Sequence, residues 1–288
     1  MMAVYRTGIE QITNRAAGMG RFDLMSEVAA PLPIEVISKL LGIPEQASEP
    51  FREFGRIVAS SLDGVETWET ARKLGPAPRA LEELFAELIT RRAADPGEDV
   101  LSGLAAGLDA DRISPREALA LSRILLIAGF ETTVNLIGNG MLALLDRPEQ
   151  WALLGEKPEL AHGVVEETLR YDPPVQATLR YAREDVHLAG RRIAEAEPVY
   201  VLTGATGRDP AVFPDPDRFD ITRSPSADHL AFGSGPHYCL GAPLARLEGE
   251  VFFEAVARRL PGLVRDGDAP HRRLMALRGL GELPVRLG

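Results

Sequence analysis

Cysteine and long apolar runs are what this sequence has least of. Only one cysteine, Cys239, occurs among 288 residues, so an intrachain disulfide framework is excluded and a reducing compartment is favoured. The most apolar run, residues 124–130, is far too short to cross a bilayer. Residues 1–10 lack the apolar core of a signal peptide. These absences predict a cytoplasmic protein that does not enter a membrane.

An excess of positive charge is also missing. Lys and Arg number 32 and Asp and Glu 42, which gives a formal net charge of −10. Nucleic acids and anionic membranes attract basic surfaces, so we expect neither as a partner. The composition, with 45% hydrophobic and 26% charged residues, is that of an ordinary globular protein. A chain of this length can bury a substantial core.

Helical periodicity dominates the N-terminal half of the chain. Apolar residues recur every three to four positions in four stretches, at residues 9–16, 34–41, 51–62 and 81–89. We expect Pro33 to start the second of these helices, after a connector over residues 22–32. Nothing in these segments is chemical by itself, so they are predicted to build the core.

A much longer helix is predicted in the middle of the chain. Ser114-Pro115-Arg116-Glu117 combines a capping box with a proline at the first helical position. The helical pattern then runs to about Asp146, a length of about 45 Å at 1.5 Å per residue. Beyond residue 175 the chain becomes β-like, in short runs at residues 178–181, 186–188 and 199–202.

The middle of the long helix is poor in helix-forming residues. It reads AGFETT from Ala128 to Thr133, with two small residues, an acid and two β-branched hydroxyls. Ala128 and Thr132 lie four residues apart and share a face, with Gly129 beside them. This patch leaves room either for a ligand or for a tightly packed neighbouring helix at Gly129. The stretch alone does not decide between the two.

The single cysteine lies in a glycine-rich stretch near the C-terminus. Residues 232–241 read FGSGPHYCLG, and a helix-like run starts at Leu244. A thiolate at Cys239 would therefore lie at a helix N-terminus, where unpaired N–H groups and the helix dipole favour an anion. The glycines would let the backbone turn sharply and approach a large flat ligand. The alternative is a buried structural cysteine in a glycine-rich turn.

Together these two stretches resemble the oxygen-binding groove and the haem-ligand loop of the cytochrome P450 family. The resemblance runs from about Gly20 to the C-terminus. It implies a mostly α fold with a small β portion, which we interpret as one cytochrome P450-like domain over residues 1–288. The family normally has a sheet, several helices and a substrate-covering loop before the point where this chain begins. We therefore expect the C-terminal portion of the usual fold, with one face of the site left open.

The resemblance implies a haem b cofactor (iron protoporphyrin IX) and a role for each matching residue. Cys239 would be the axial ligand of the iron. Thr132 would hydrogen-bond bound dioxygen, and Glu131 would help to deliver protons. The other haem-binding positions would be Ala128, Gly129, Arg180, Phe232, Gly233, His237 and Gly241. Of these, Arg180 and His237 are expected at the haem propionates, a pairing that suits the rigid fork of arginine.

A further family pattern is Glu167-x-x-Arg170, completed by Arg223. From the residues alone, such a pair could be a surface ion pair of little energetic value. The resemblance implies instead a structural network that holds the cysteine loop. Two small departures from the family pattern occur: Ala196 stands where a turn glycine is usual, and Gly207 stands where an asparagine is usual.

The implied activity is that of a monooxygenase, which inserts one oxygen atom of dioxygen into a small or medium apolar molecule. Substrate contacts are expected at Phe130 and at residues 175–178 and 274–277. Electrons would come from a ferredoxin-like partner, for which Arg246 is a candidate contact. Two alternatives stay open: a non-catalytic relative that activates a glycosyltransferase, and an inactive truncated fragment. The presence of Cys239, Glu131 and Thr132 argues against the first, whereas the absence of the family's usual N-terminal portion argues for it.

Overall fold

A computed structural model describes residues 2–44, 47, 51, 72, 75, 77–224, 229–272 and 276–288. Helices predominate in it, which confirms the predicted mostly α class. They are α1 (Met2–Ala17), α2 (Pro31–Leu41), α3 (Ala77–Ala94), α4 (Val100–Asp109), α5 (Pro115–Leu145), α6 (Pro148–Glu156), α7 (Ala161–Tyr171), α8 (Thr203–Thr206) and α9 (Ala242–Arg259). A π-helical turn spans Met25–Ala29, and 3₁₀ turns span Pro158–Leu160 and Gly235–His237.

The described strands are short and lie in three small antiparallel sheets. They are β1 (Arg21–Asp23), β2 (Thr178–Tyr181), β3 (Val186–Leu188), β4 (Arg191–Ile193), β5 (Pro198–Val201), β6 (Leu263–Arg265) and β7 (Pro284–Leu287). The strand β7 lies between β1 and β6, β2 pairs with β5, and β3 pairs with β4. In the first sheet Val285 stands opposite both Phe22 and Arg265, so this sheet joins the two ends of the described chain.

The long helix α5 begins where its capping box predicts. The Ser114 hydroxyl accepts a hydrogen bond from the Glu117 N–H (3.3 Å), and Oε2 of Glu117 accepts one from the Ser114 N–H (2.7 Å). By length and composition this helix could cross a membrane, since an 18-residue window has a mean hydropathy of 1.4. However, 56% of that window is buried inside the fold, which is equally typical of a core helix.

Three helices, α5, α7 and α9, pack closely where two glycines allow it. A side-chain carbon at Gly249 of α9 would lie 2.7 Å from Val165 of α7 and 3.6 Å from Leu136 of α5. One at Gly140 of α5 would lie 2.5 Å from Phe253 of α9. The second contact lies four residues after the first on both helices, at Gly140 rather than Leu136 on α5 and at Phe253 rather than Gly249 on α9. The two helices therefore run in the same direction.

The connector predicted over residues 22–32 is wrong. Asp23 organises this segment, because its carboxylate accepts hydrogen bonds from the N–H groups of Met25 (3.2 Å) and Ser26 (3.1 Å) and so initiates the π-helical turn. The following helix, α2, begins at Pro31 rather than at Pro33. The helix predicted at residues 51–62 lies, apart from Phe51, outside the described residues.

The two-stranded sheets follow the predicted runs closely, with one addition. The run at residues 199–202 is shifted by one position as β5, and β4 was not predicted. A tight turn at Ala189 and Gly190, with φ of 48° and 77°, returns the chain from β3 to β4. Ala196, at the position where the family has a turn glycine, also has a positive φ of 64°.

Candidate active site

The cysteine loop, residues 232–241, is exposed from residue 234 onward. A hydrogen bond from the Cys239 N–H to the Phe232 carbonyl (3.0 Å) closes it. Gly233 and Gly235 have φ of 69° and 63°, a left-handed conformation that costs other residues about 1–2 kcal/mol. The Cys239 thiol is free and exposed. The alternative of a buried structural cysteine is therefore wrong.

The thiol lies at the start of α9, as the sequence predicts. That helix begins at Ala242, immediately after Gly241, where an added side-chain carbon would lie 3.8 Å from the Cys239 sulfur. Counting back two turns from the contact between Leu136 and Gly249 brings Ala128 of α5 level with Gly241. The small-residue stretch and the cysteine loop are thus at the same end of the α5–α9 pair.

Ala128 belongs to an exposed stripe on α5. Leu121 and Ile124, which are 41% and 53% exposed, share the face of Ala128 and Thr132 by their spacing of three to four residues. Ala128 itself is exposed and Thr132 is half-buried. Leu121, Ile124 and Ala128 thus form a continuous apolar strip on the exposed face of α5.

Of the residues in and beside this stripe, Gly129 and Thr133 pack inside the fold, whereas Thr132 is accessible. A side-chain carbon at Gly129 would lie 3.1 Å from Ile37 of α2, so Gly129 allows the close helix packing that the sequence left open. The Thr132 hydroxyl donates to the Ala128 carbonyl (2.6 Å). The Thr133 side chain is buried, and its hydroxyl donates to the Gly129 carbonyl (3.2 Å). Thr132 is therefore the hydroxyl that a ligand on the exposed stripe can reach.

Glu131 is not presented on the same face as Thr132. Its side chain is buried, and its carboxylate forms an ion pair with Arg272. Arg272 also donates to Oδ1 of Asn135 (2.7 Å), one turn further along α5. The structure thus places Glu131 beside Thr132 in the chain but holds its carboxylate in a separate polar cluster. Its role in proton delivery stays a prediction.

The two side chains predicted at the propionates are both exposed. Arg180 lies in β2, and within the described residues its guanidinium donates to the Leu179 carbonyl (2.9 Å) and forms no ion pair. His237 ends the 3₁₀ turn of the cysteine loop. Both are therefore available to an anionic group.

The substrate contacts predicted from the sequence differ in their exposure. Phe130 is only 5% exposed and packs in the hydrophobic core, so the structure does not bring it to the exposed stripe. Residues 175–178 are half-buried, and Val175 forms an isolated β-bridge with Leu277. The predicted residues 274 and 275 lie outside the described part of the chain.

Glu167, Arg170 and Arg223 form the predicted network. Arg170 is fully buried and uses all five of its N–H donors: two bind Glu167 (2.7 and 2.8 Å) and three bind carbonyls of residues 207, 216 and 218. Arg223 binds Glu167 from the other side at 3.1 Å. A side-chain carbon at Gly207 would lie 1.9 Å from the Arg170 carbonyl oxygen, so asparagine does not fit here. The network ties α7 to the proline-rich segment after α8.

Glu166, next to Glu167, was not predicted to matter. Its carboxylate binds Nε of Arg246 (2.7 Å) and Nε2 of His229 (3.1 Å). Burial raises the pKa of Glu166, but hydrogen bonds from His229 and Arg246 and their charges outweigh it and lower the pKa to about 2. The Arg246 guanidinium also donates to the Tyr238 hydroxyl (3.3 Å). Arg246, the candidate partner contact, is therefore engaged within the fold.

The described part of the chain does not provide a complete set of protein ligands for a metal ion. Within the described residues, no group of three or more His, Cys, Asp or Glu side chains could hold one. Cys239 supplies a single soft ligand, and Ala128 and Gly241 leave space for a bulky group beside it. This donor set fits a metal whose other ligands come from a flat macrocycle.

Comparisons with known proteins agree with this geometry. The family model described as Cytochrome P450 matches residues 156–281. The chain is 42% identical over 291 residues to the 6-deoxyerythronolide B hydroxylase of Saccharopolyspora erythraea, covering 98% of this chain and 70% of the relative. It is 39% identical over 278 residues to the biotin biosynthesis cytochrome P450 of Bacillus subtilis, covering 96% and 70%.

The fold is similar to solved structures as well. The crystal structure of P450BioI in complex with an acyl carrier protein ligated to hexadec-9Z-enoic acid superimposes with a TM-score of 0.93 at 37% identity. The similarity covers 100% of this chain and 74% of that one. The chain spans about two thirds of the length of the curated relatives it matches, with 66% and 70% as examples.

Proposed function

This chain belongs to the cytochrome P450 family, and from that premise we propose that it is a haem-thiolate monooxygenase. The observation that carries the proposal is the free, exposed Cys239 thiol at the start of α9, level with the small-residue stretch of α5. The related protein named as a hydroxylase supports the same reaction class.

The residues present fit haem b. Cys239 would be the axial ligand, and it lies just before the N-terminal end of α9. Ala128 and Gly241 would leave room for the flat macrocycle, and the backbone of Gly129, whose open side packs against Ile37 of α2, would lie beside it. Phe232 and Gly233 would shape the loop on the cysteine side. When bound, haem supplies the activation of dioxygen, and a thiolate ligand favours cleavage of the O–O bond.

Arg180 and His237 would hold the propionates. Both side chains are exposed, and Arg180 is without an ion pair in the described structure. An arginine fork can bind a carboxylate through two parallel hydrogen bonds, which fixes orientation as well as position. His237, on the cysteine loop, would add a second hydrogen-bond donor from a different segment of the chain than Arg180.

Thr132 and Glu131 would manage protons. The Thr132 hydroxyl donates to the Ala128 carbonyl, and it would be the hydroxyl on the exposed stripe that could donate to dioxygen. Glu131 would take part in proton delivery, and for this its carboxylate would have to leave the ion pair with Arg272. Positioned proton donors of this kind typically contribute about 10²–10⁴-fold to rate.

The proposed substrate is a small or medium apolar organic molecule, oxidised with dioxygen. The exposed Leu121 and Ile124 would provide an apolar wall next to Ala128, and the half-buried residues 175–178, which lead into β2, would add further contacts. The acyl group carried by the partner of the solved relative is of this chemical kind. We further propose a ferredoxin-like electron donor, a cytoplasmic location, and no nucleic-acid or membrane partner.

Turnover in the presence of ¹⁸O₂ tests this function. The haem-loaded chain would be supplied with a reduced ferredoxin, its reductase, and either hexadec-9Z-enoic acid or 6-deoxyerythronolide B. We expect one labelled oxygen atom in the product and none with Cys239→Ala. An oxidised product without the label, whose new oxygen atom would then come from water, would contradict the proposal. A chain that neither binds haem nor consumes oxygen would instead fit the non-catalytic or inactive alternatives.

A further inference from the structure

Two adjacent carboxylates on α7 hold different parts of the molecule. Glu167 binds the buried Arg170 and through it the proline-rich segment. Glu166 faces the other way and binds Arg246 of α9 together with His229, just before the cysteine loop. The side chain of His229 is only 4% exposed, and that of Glu166 only 11%. Glu166 therefore connects the segments on both sides of the loop.

This cluster reaches the middle of the loop as well. The Arg246 guanidinium stacks on the Phe232 ring, 4.7 Å from its centroid, and donates to the Tyr238 hydroxyl at 3.3 Å. Phe232 supplies the carbonyl that accepts the Cys239 N–H. A continuous set of contacts thus runs from the Glu166 carboxylate to the backbone of Cys239.

The loop has few other anchors. Residues 234–241 are exposed, and Leu240, beside the thiol, is 87% exposed. Exposed segments with little apolar burial open locally at low free-energy cost. Buried hydrogen bonds to a charged group are the stronger kind, so the Glu166 cluster is the attachment that can hold this loop in one geometry.

We propose that Glu166, acting through His229 and Arg246, is the positioning residue that holds Cys239 in its ligating geometry and keeps the thiolate bound. The inference rests on the proposed function, because it assigns Cys239 to the haem iron. Nε2 of His229 donates to the Glu166 carboxylate at 3.1 Å, and Nε of Arg246 donates to it at 2.7 Å.

The test compares Glu166→Gln with wild type in the haem-loaded full chain. Amide hydrogen exchange at Cys239 should become about tenfold faster, which corresponds to the loss of roughly one charge-assisted hydrogen bond. The ferric/ferrous reduction potential should change, and a larger share of the ferrous carbon monoxide adduct should lose the red-shifted Soret band of thiolate ligation. A merely structural role would lower the free energy of unfolding but leave the potential and the band unchanged.

Glu250→Gln is the matched control, since Glu250 on α9 binds Nδ1 of His162 (2.8 Å) at the surface, away from the loop. It should behave as wild type. His229→Gln keeps an N–H for Glu166 and should retain most of the band, whereas His229→Leu should not. This pair carries the test if Glu166→Gln is insoluble.

Wild-type exchange, potential and spectrum in Glu166→Gln, or identical behaviour of the two His229 variants, would overturn the inference. Failure of the proposed function has a different signature. In that case the carbon monoxide adduct of the wild type would itself lack the thiolate band. Amide hydrogen exchange at Cys239 would still show whether Glu166 stabilises the cysteine loop.

Discussion

Glu248 is the buried carboxyl whose replacement should change stability most with pH. It lies on α9, is 3% exposed, and its Oε2 has no hydrogen-bond partner among the described residues. Tyr5 of α1, also buried, has an unpartnered hydroxyl, and its pKa is raised by burial and by the charge of Glu248. Burial raises the pKa of Glu248 to about 8.

The direction of the pH effect follows from that pKa. A carboxyl with a raised pKa in the folded state contributes full stability below its unfolded pKa and loses it as pH rises through the folded value. For Glu248 this window extends from 4.5 to about 8. At 1.36 kcal/mol per pH unit, the loss has an upper limit on the order of 4–5 kcal/mol, a large part of the stability of a typical domain.

Urea denaturation at several pH values would measure this effect. Because glutamine keeps the shape of the side chain but cannot ionise, Glu248→Gln should gain stability relative to wild type progressively between about pH 5 and pH 8. Glu254→Gln, on the same helix with its carboxylate paired to Arg258 at the surface, should follow the wild-type curve. A constant difference between Glu248→Gln and wild type across this range would refute the reasoning.

Three further substitutions test other parts of the structure. Arg170→Ala removes a fully buried cation from Glu167 and should cost roughly 3–5 kcal/mol of unfolding free energy, or give insoluble protein, whereas Arg218→Ala, at an exposed ion pair, should be nearly neutral by denaturation. Thr132→Ala should keep haem and substrate binding but divert reducing equivalents to peroxide by a clear margin, while Thr133→Ala, whose hydroxyl is buried, should keep wild-type coupling of electron use to product. Ala196→Gly should raise the thermal midpoint, because φ of 64° costs alanine about 1–2 kcal/mol; a lowered midpoint would contradict this.

The sequence predicted those features that depend on neighbouring residues. The capping box at Ser114 set the start of α5, and spacing alone put Ala128 and Thr132 on one face. The glycine-flanked Cys239 was correctly expected at a helix start, because loop and helix signals are local. The spacing of Glu167 and Arg170 allowed an ion pair, but only the family resemblance implied that the pair is part of a structural network.

Other contacts between distant segments were not predicted, although the resemblance did imply that of Arg223 with Glu167. The partner of Glu131 is Arg272, 141 positions away, and the partners of Glu166 lie 63 and 80 positions away. No periodicity encodes such pairs, since they arise only when helices pack. Phe130 was expected at the substrate, but it lies two residues from both Ala128 and Thr132, about 200° around the helix, and faces the core. Its orientation depends on how α5 packs in the fold.

The carbon monoxide spectrum of the reduced, haem-loaded chain tests the central claim most directly. If the exposed Cys239 thiol is the axial ligand, the wild-type adduct shows the red-shifted Soret band of thiolate ligation. Cys239→Ala removes the only cysteine in the sequence and should abolish that band. The same red-shifted band in Cys239→Ala, or its absence from haem-loaded wild type, would contradict the account.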